Sequence, residues 1–159
     1  MSMVLSFTCV TPEELARALQ DPEWAEEFLD ELDSDEDRPD NPDGFIEKAW
    51  AGIQYLLDAA EAGVDLQMGG LPIDEELLFT GWTAEMVQDA ARKLQVLPFE
   101  KLAAHYDPAR MQEQNVYPNI WTHDPDGECE YLKWHYGTLL TFFEEASAKG
   151  SAAIVEFNI

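Results

Sequence analysis

Short apolar runs stand at the two ends of this chain, and between them apolar residues recur every three or four positions. "VLSFTCV" at residues 4–10 is rich in strand-forming side chains and predicts a strand. It stops at "TPEE". There Thr11 predicts a helix cap, Pro12 the first helical turn and Glu14 the return half of a capping box. "DPEW" repeats the device with Asp21 and Pro22, and its helix sets Trp24, Phe28 and Leu32 at helical spacing before dissolving into acids. In "GFIEKAWAGIQYLLDAAEAG", Phe45, Ala49, Ile53, Leu56 and Ala60 recur at steps of three and four. Ile46, Trp50 and Leu57 widen that stripe, and Gly63 is its natural stop. "VDLQMGGLPIDEELLFTGW" is punctuated by Gly69, Gly70 and Pro72 and reads mostly as loop with one helical turn.

Thr83 then caps a helix with Val87, Ala91 and Leu94 inside it. A short helix starts near Pro98, and Asp107 with Pro108 starts another. "VYPNIWTHDPDGE" reads as loop. The last long helix, "ECEYLKWHYGTLLTFFEEASAKG", has Leu132, His135, Leu139, Phe142, Phe143 and Ala146 as its apolar face and ends at Gly150. "AAIVEFNI" closes the chain as a strand. Two strands alone make a poor sheet, so the terminal strands are expected to pair, with a third from residues 64–80, under a helical layer. The expected fold class is α+β. It is a helix-dominant single domain over residues 1–159, with a small sheet including the N- and C-terminal strands and an acidic surface loop at about 33–43.

Charge changes this picture most. Asp and Glu number 33 against 9 Lys and Arg, a formal net charge of −24. Such a field repels nucleic-acid phosphates and anionic membranes, and it favours basic partners, cations and solubility. The plainest account is a solvated acidic surface, as in a cell of high internal salt. No apolar run approaches the roughly 20 residues that span a bilayer. The start lacks a basic segment and cleavage site, and Cys9 and Cys129 form no motif together. A cytoplasmic protein with reduced thiols is the expectation.

The acidic run "DSDEDRPDNPDGFIE" has the look of a calcium loop, and the spacing rejects it. An EF-hand needs ligands at positions 1, 3, 5 and 12 with glycine at 6. With Gly44 at position 6, Pro39 falls at 1 and Trp50 at 12; with Asp33 at position 1, Arg38 takes the glycine place. "HDPDGECE" offers His123, Asp124, Asp126, Glu128 and Cys129, but no second ligand pair exists elsewhere, and Pro125, Asp126 and Gly127 read as a turn. No phosphate loop, nucleophile elbow or zinc-protease motif is present, and no cofactor is predicted. Cys9 sits in a predicted buried strand, where it acts as a small hydrophobe. His135 reads as a hydrogen-bonded core histidine. With 33 acids, carboxylate pairs carry no catalytic signal.

Aromatics are a better lead. Tyr117, Trp121, Tyr131, Trp134 and Tyr136 gather around one loop and the next helix. Such side chains bury area while keeping a polar handle, so they serve binding surfaces as well as cores. The candidate ligand or partner surface is therefore Tyr117, Trp121, Tyr131, Trp134 and His135. Trp121 leans to core packing, whereas Trp134 lies beside the apolar stripe and is the better surface candidate. Tyr117-Pro118 is a candidate cis peptide.

Several stretches together carry a resemblance. "IEKAWAGIQYLL", "GWTAEMVQDAARKL", "LPFEKLAAHYDPARM", "VYPNIW" and "EYLKWHYGTLLTFFEEASAKGSAAIVEF" fall in the order and spacing of the YfbM-like family, bacterial proteins grouped as a domain of unknown function. "YPNIW" and the last helix with its "AAIVEF" strand are the most specific parts. The resemblance implies a single-domain α+β protein and brings no activity, cofactor or catalytic residue with it. Members often carry a histidine near the position of Gln54, and sometimes near Ala51; this chain has neither. The functional expectation is a non-catalytic interaction domain with a basic protein partner, in one version immunity- or antitoxin-like. The alternative is a small-molecule binder or small enzyme with a pocket near Tyr117, Trp121 and His135.

Overall fold

The first strand, β1 (Val4–Val10), directs Leu5, Phe7 and Cys9 to one face of a sheet and Val10 to the other. The structure, a computed structural model, describes residues 2–34 and 42–159. After β1 come α1 (Pro12–Gln20) and α2 (Pro22–Ser34). The capping box forms as expected: Thr11 N donates to Glu14 Oε1 at 2.8 Å and Glu14 N to Thr11 Oγ1 at 3.1 Å. Asp21 Oδ1 caps α2 by accepting from Trp24 N at 3.1 Å. Helix α2 takes in the first two residues of the acidic run, Asp33 and Ser34. Residues 35–41, the heart of the expected acidic loop, lie outside the described residues.

The helix expected from Gly44 onward starts later. Residues 44–46 instead lie along the outer edge of β1, with Phe45 bridged to Ser6: Phe7 N donates to the Gly44 carbonyl at 2.8 Å and Ile46 N to the Leu5 carbonyl at 3.1 Å. An open strand edge leaves backbone groups unpaired, and pairing draws this segment out of the helix. Gly44 is required there, because a Cβ would overlap the Phe7 carbonyl oxygen. Phe45, expected in the apolar stripe, is consequently 45% exposed. A 3₁₀ turn at Glu47–Ala49 then leads into α3 (Trp50–Ala59). The helix stops short of Gly63, and Glu61 already adopts a left-handed φ of 56°.

Within the stretch read as loop, the single helical turn is present, with Gly69 N donating to the Asp65 carbonyl at 3.0 Å. Two short strands follow, β2 (Leu71–Pro72) and β3 (Phe79–Trp82). The last strand, β4 (Ala152–Asn158), pairs antiparallel with β1 in a register that sets Phe7 opposite Val155. It also pairs with β3, which sets Trp82 opposite Ala153. The sheet of described residues runs β1-β4-β3-β2, so the expected third strand is there and the C-terminal strand is internal.

Four more helices complete the chain: α4 (Ala84–Gln95), α5 (Phe99–Ala103), α6 (Pro108–Glu113) and α7 (Pro125–Ala148). Thr83 and Asp107 cap α4 and α6 as predicted. Two apolar clusters lie on opposite faces of the sheet. The larger joins Phe7 and Val155 to α3, α4 and α7, with the Phe7 ring 5.6 Å from Phe142 and 5.4 Å from Phe143. Each such side chain withdrawn from water contributes about 1.5–3 kcal/mol. The smaller joins Val10 and Ile154 to Leu15, Ala18 and Leu29 of α1 and α2. Gly81 of β3 lets the Leu15 side chain seat directly on the sheet.

Candidate functional site: the outer face of the last helix

Helix α7 begins earlier than expected, because "HDPDG", read as a turn, holds its cap. Asp124 Oδ1 accepts from Gly127 N at 3.2 Å and Pro125 occupies the first turn. Among the described residues no three potential metal ligands are gathered. From there α7 presents two stripes. The inner one buries Leu132, His135, Leu139, Phe142, Phe143 and Ala146, all six expected, and adds Tyr136, whose hydroxyl donates to the Leu97 carbonyl at 2.6 Å.

The outer stripe carries the candidate site. Glu130, Trp134, Gly137 and Thr141 of α7, with Pro42 and Asp43 opposite, line an open groove of about 760 Å³. Lys133 and Glu145 stand at the same groove. Trp134 is 74% exposed, the most exposed large apolar side chain among the described residues. A Cβ at Gly137 would meet nothing within 4 Å. Packing within the chain therefore does not require that glycine, although glycine inside a helix costs about 1 kcal/mol relative to alanine. Together these groups offer an exposed aromatic face with three carboxylates and one ammonium, that of Lys133, around it.

The other sequence candidates go elsewhere. Trp121 is fully buried and belongs to the core rather than to a surface; its Nε1 donates to the Val116 carbonyl at 2.8 Å. Its ring packs against Gly52, where a Cβ would come within 2.6 Å of it. Tyr117 and Tyr131 are half-buried hooks, their hydroxyls accepting from Met3 N at 2.9 Å and Lys48 N at 3.3 Å. The Tyr117-Pro118 peptide is cis. Neither the groove nor a crevice between α4 and α7 is lined by Tyr117, Trp121 or His135, where the alternative pocket was expected.

His135 belongs to the buried stripe and is next in the chain to Trp134. Its side chain is 8% exposed, and its Nε2 lies 3.4 Å from Glu47 Oε2. Its Nδ1 is buried and has no hydrogen-bond partner among the described residues, so the expected core histidine is only half satisfied. Burial holds its pKa below the ordinary histidine value of 6.5, against the opposing charges of Glu47 and Asp43.

The profile of a domain of unknown function, DUF1877, matches residues 1–156. The chain belongs to this family. A solved structure of similar fold is that of a protein of unknown function, YfbM from Escherichia coli. It aligns with a TM-score of 0.69 at 12% identity, over 98% of this chain and 99% of that one. At that identity the likeness carries the fold and nothing of activity. Comparison with curated proteins finds no match. Among the described residues, no helix is long and apolar enough to cross a membrane.

Within this DUF1877 chain, Gln54 does structural work. Its Nε2 donates to Asp58 Oδ1 at 2.8 Å and to the Val64 carbonyl at 2.9 Å, and its Oε1 accepts from Leu66 N at 2.8 Å. It ties the segment after α3 back onto the helix. The groove residues Asp43, Glu130, Gly137 and Thr141 were not singled out in the sequence. The available signal was the stripe opposite the apolar one on α7, interrupted by a glycine with no structural duty.

Proposed function

We propose that the chain is a protein-interaction domain that receives a basic partner on the outer face of α7. An immunity- or antitoxin-like role, covering a basic protein, is one form of this. The observation that carries the reading is Trp134, 74% exposed in a groove walled by Asp43, Glu130 and Glu145. An indole face attracts ammonium and guanidinium groups, and neighbouring carboxylates add to that attraction. Tryptophan is also enriched among the residues that dominate interface energies. A net charge of −24 steers a basic partner toward the molecule and penalises acidic ones.

The test is a titration of a lysine-rich peptide into isotopically labelled protein, followed by amide and indole NMR signals. The expected result is shifts concentrated at residues 130–145 and at the Trp134 indole, reversed by salt. Weak shifts spread evenly over every acidic segment would contradict the reading. A second reading is small-molecule binding in the α4–α7 crevice. It measures about 420 Å³, with buried Leu94 and Phe143 beside Arg92 and Glu144, and its size suits a ligand. A ligand-induced rise in melting temperature that Ala91→Leu abolishes would favour it.

A further inference from the structure

His135 and Trp134 are neighbours on α7, one buried and one in the groove. The groups at the imidazole are Glu47 from the 3₁₀ turn and Tyr131 from α7 itself, while Asp43, from the segment before the turn, acts on it through its charge. The Tyr131 ring lies edge-on to the imidazole with centroids 4.6 Å apart. Glu47 holds a left-handed φ of 48°, an unfavourable conformation for a residue with a side chain. Asp43 belongs to the same short segment and also lines the groove.

A neutral imidazole fits this setting. Nε2–H faces Glu47, and a bare Nδ1 donates nothing. A second proton creates a buried N–H with no acceptor and a positive charge beside Glu47 and within the field of Asp43. Asp43 is the carboxylate that also lines the groove. Its Oδ1 accepts a local bond from Phe45 N at 3.0 Å, which a small turn of the side chain would release.

We infer that His135 is a proton-sensitive regulator of the groove. Neutral, it leaves Asp43 at the groove; protonated, it draws Asp43 toward itself, adds positive charge next in the chain to Trp134 and loosens a basic partner. This rests on the reading of the groove as a docking site. By linkage, a bound cation also makes His135 harder to protonate. Burial already lowers the histidine's pKa, which places release on the acid side of 6.5.

Two measurements test it. In the free protein, the His135 ring and the Trp134 indole N–H are followed by NMR from pH 8 to about 5, the indole assigned with Trp134→Phe. Both should move with one midpoint below 6.5, and the indole response should vanish in His135→Gln. An indole that stays still, or that titrates equally in His135→Gln, overturns the coupling. Calorimetric titration with a lysine-rich peptide then compares about pH 7.5 with about pH 5.5 at fixed ionic strength. Affinity should fall at least about fivefold more in the natural chain than in His135→Gln. Equal falls overturn the regulation and leave the docking site standing. No binding at either pH overturns the docking site and the inference with it.

Discussion

Trp121 and Trp134 are treated oppositely by one fold, and the contrast separates what holds the molecule together from what it shows to others. Trp121 is fully buried, pressed on Gly52, with its indole N–H given to the Val116 carbonyl. Trp134 is 74% exposed among carboxylates and beside a glycine that packing does not explain. A tryptophan buried with its polar atom satisfied stabilises the chain. A tryptophan left in water contributes little to folding and keeps its ring open to a partner.

The largest expected effect is Trp121→Ala, which should lower unfolding free energy by about 3–5 kcal/mol in chemical denaturation. A loss below 1 kcal/mol would mean that Trp121 is not a core anchor. Next, Gln54→Ala should cost roughly 1–3 kcal/mol, since Leu66 N and the Val64 carbonyl lose their partner. Hydrogen exchange should quicken first at residues 64–66. Gly137→Ala should do the reverse, raising stability by about 0.5–1 kcal/mol while weakening peptide binding, because the new methyl stands on the groove floor. A gain in stability with unchanged binding would detach Gly137 from the site.

A smaller effect is pH dependence. His135 is harder to protonate in the folded chain than in the unfolded one, whose histidines titrate near 6.5. The unfolded state therefore binds the proton first. The stability that His135 contributes is complete above 6.5 and declines as pH falls through 6.5 toward the lower folded value. His135→Gln should flatten the fall in melting temperature between about pH 7 and pH 5.5. A steeper fall would show that the folded histidine is stabilised in its charged form instead.

Much of this fold was legible because its signals are local. Thr11 with Glu14, Asp21 with Pro22, and Asp107 with Pro108 each announce a helix start, and each forms. Asp124 with Pro125 is the same device, and reading it as a turn cost α7 its first residues. The apolar stripe of α7 was legible residue by residue, since helical period alone determines it. What stayed hidden was non-local. That residues 44–46 pair with β1 depends on an edge that no window of sequence contains. Strand β3 is four residues long in a glycine-rich stretch, and pairing with β4 on one side and β2 on the other makes it a strand. At the site, Trp134 could be read from its place beside the stripe. Asp43 could not, because its arrival opposite α7 is a product of that same edge pairing.

The most direct test of the division between the two tryptophans is calorimetric titration of a lysine-rich peptide into the natural chain and Trp134→Ala, at physiological and high salt, with the unfolding free energy of each measured alongside. The account predicts that Trp134→Ala keeps its stability within about 0.5 kcal/mol and loses about tenfold in affinity, and that high salt weakens binding to both. Equal affinity in the two proteins, or a Trp134→Ala chain destabilised as severely as Trp121→Ala, would contradict it.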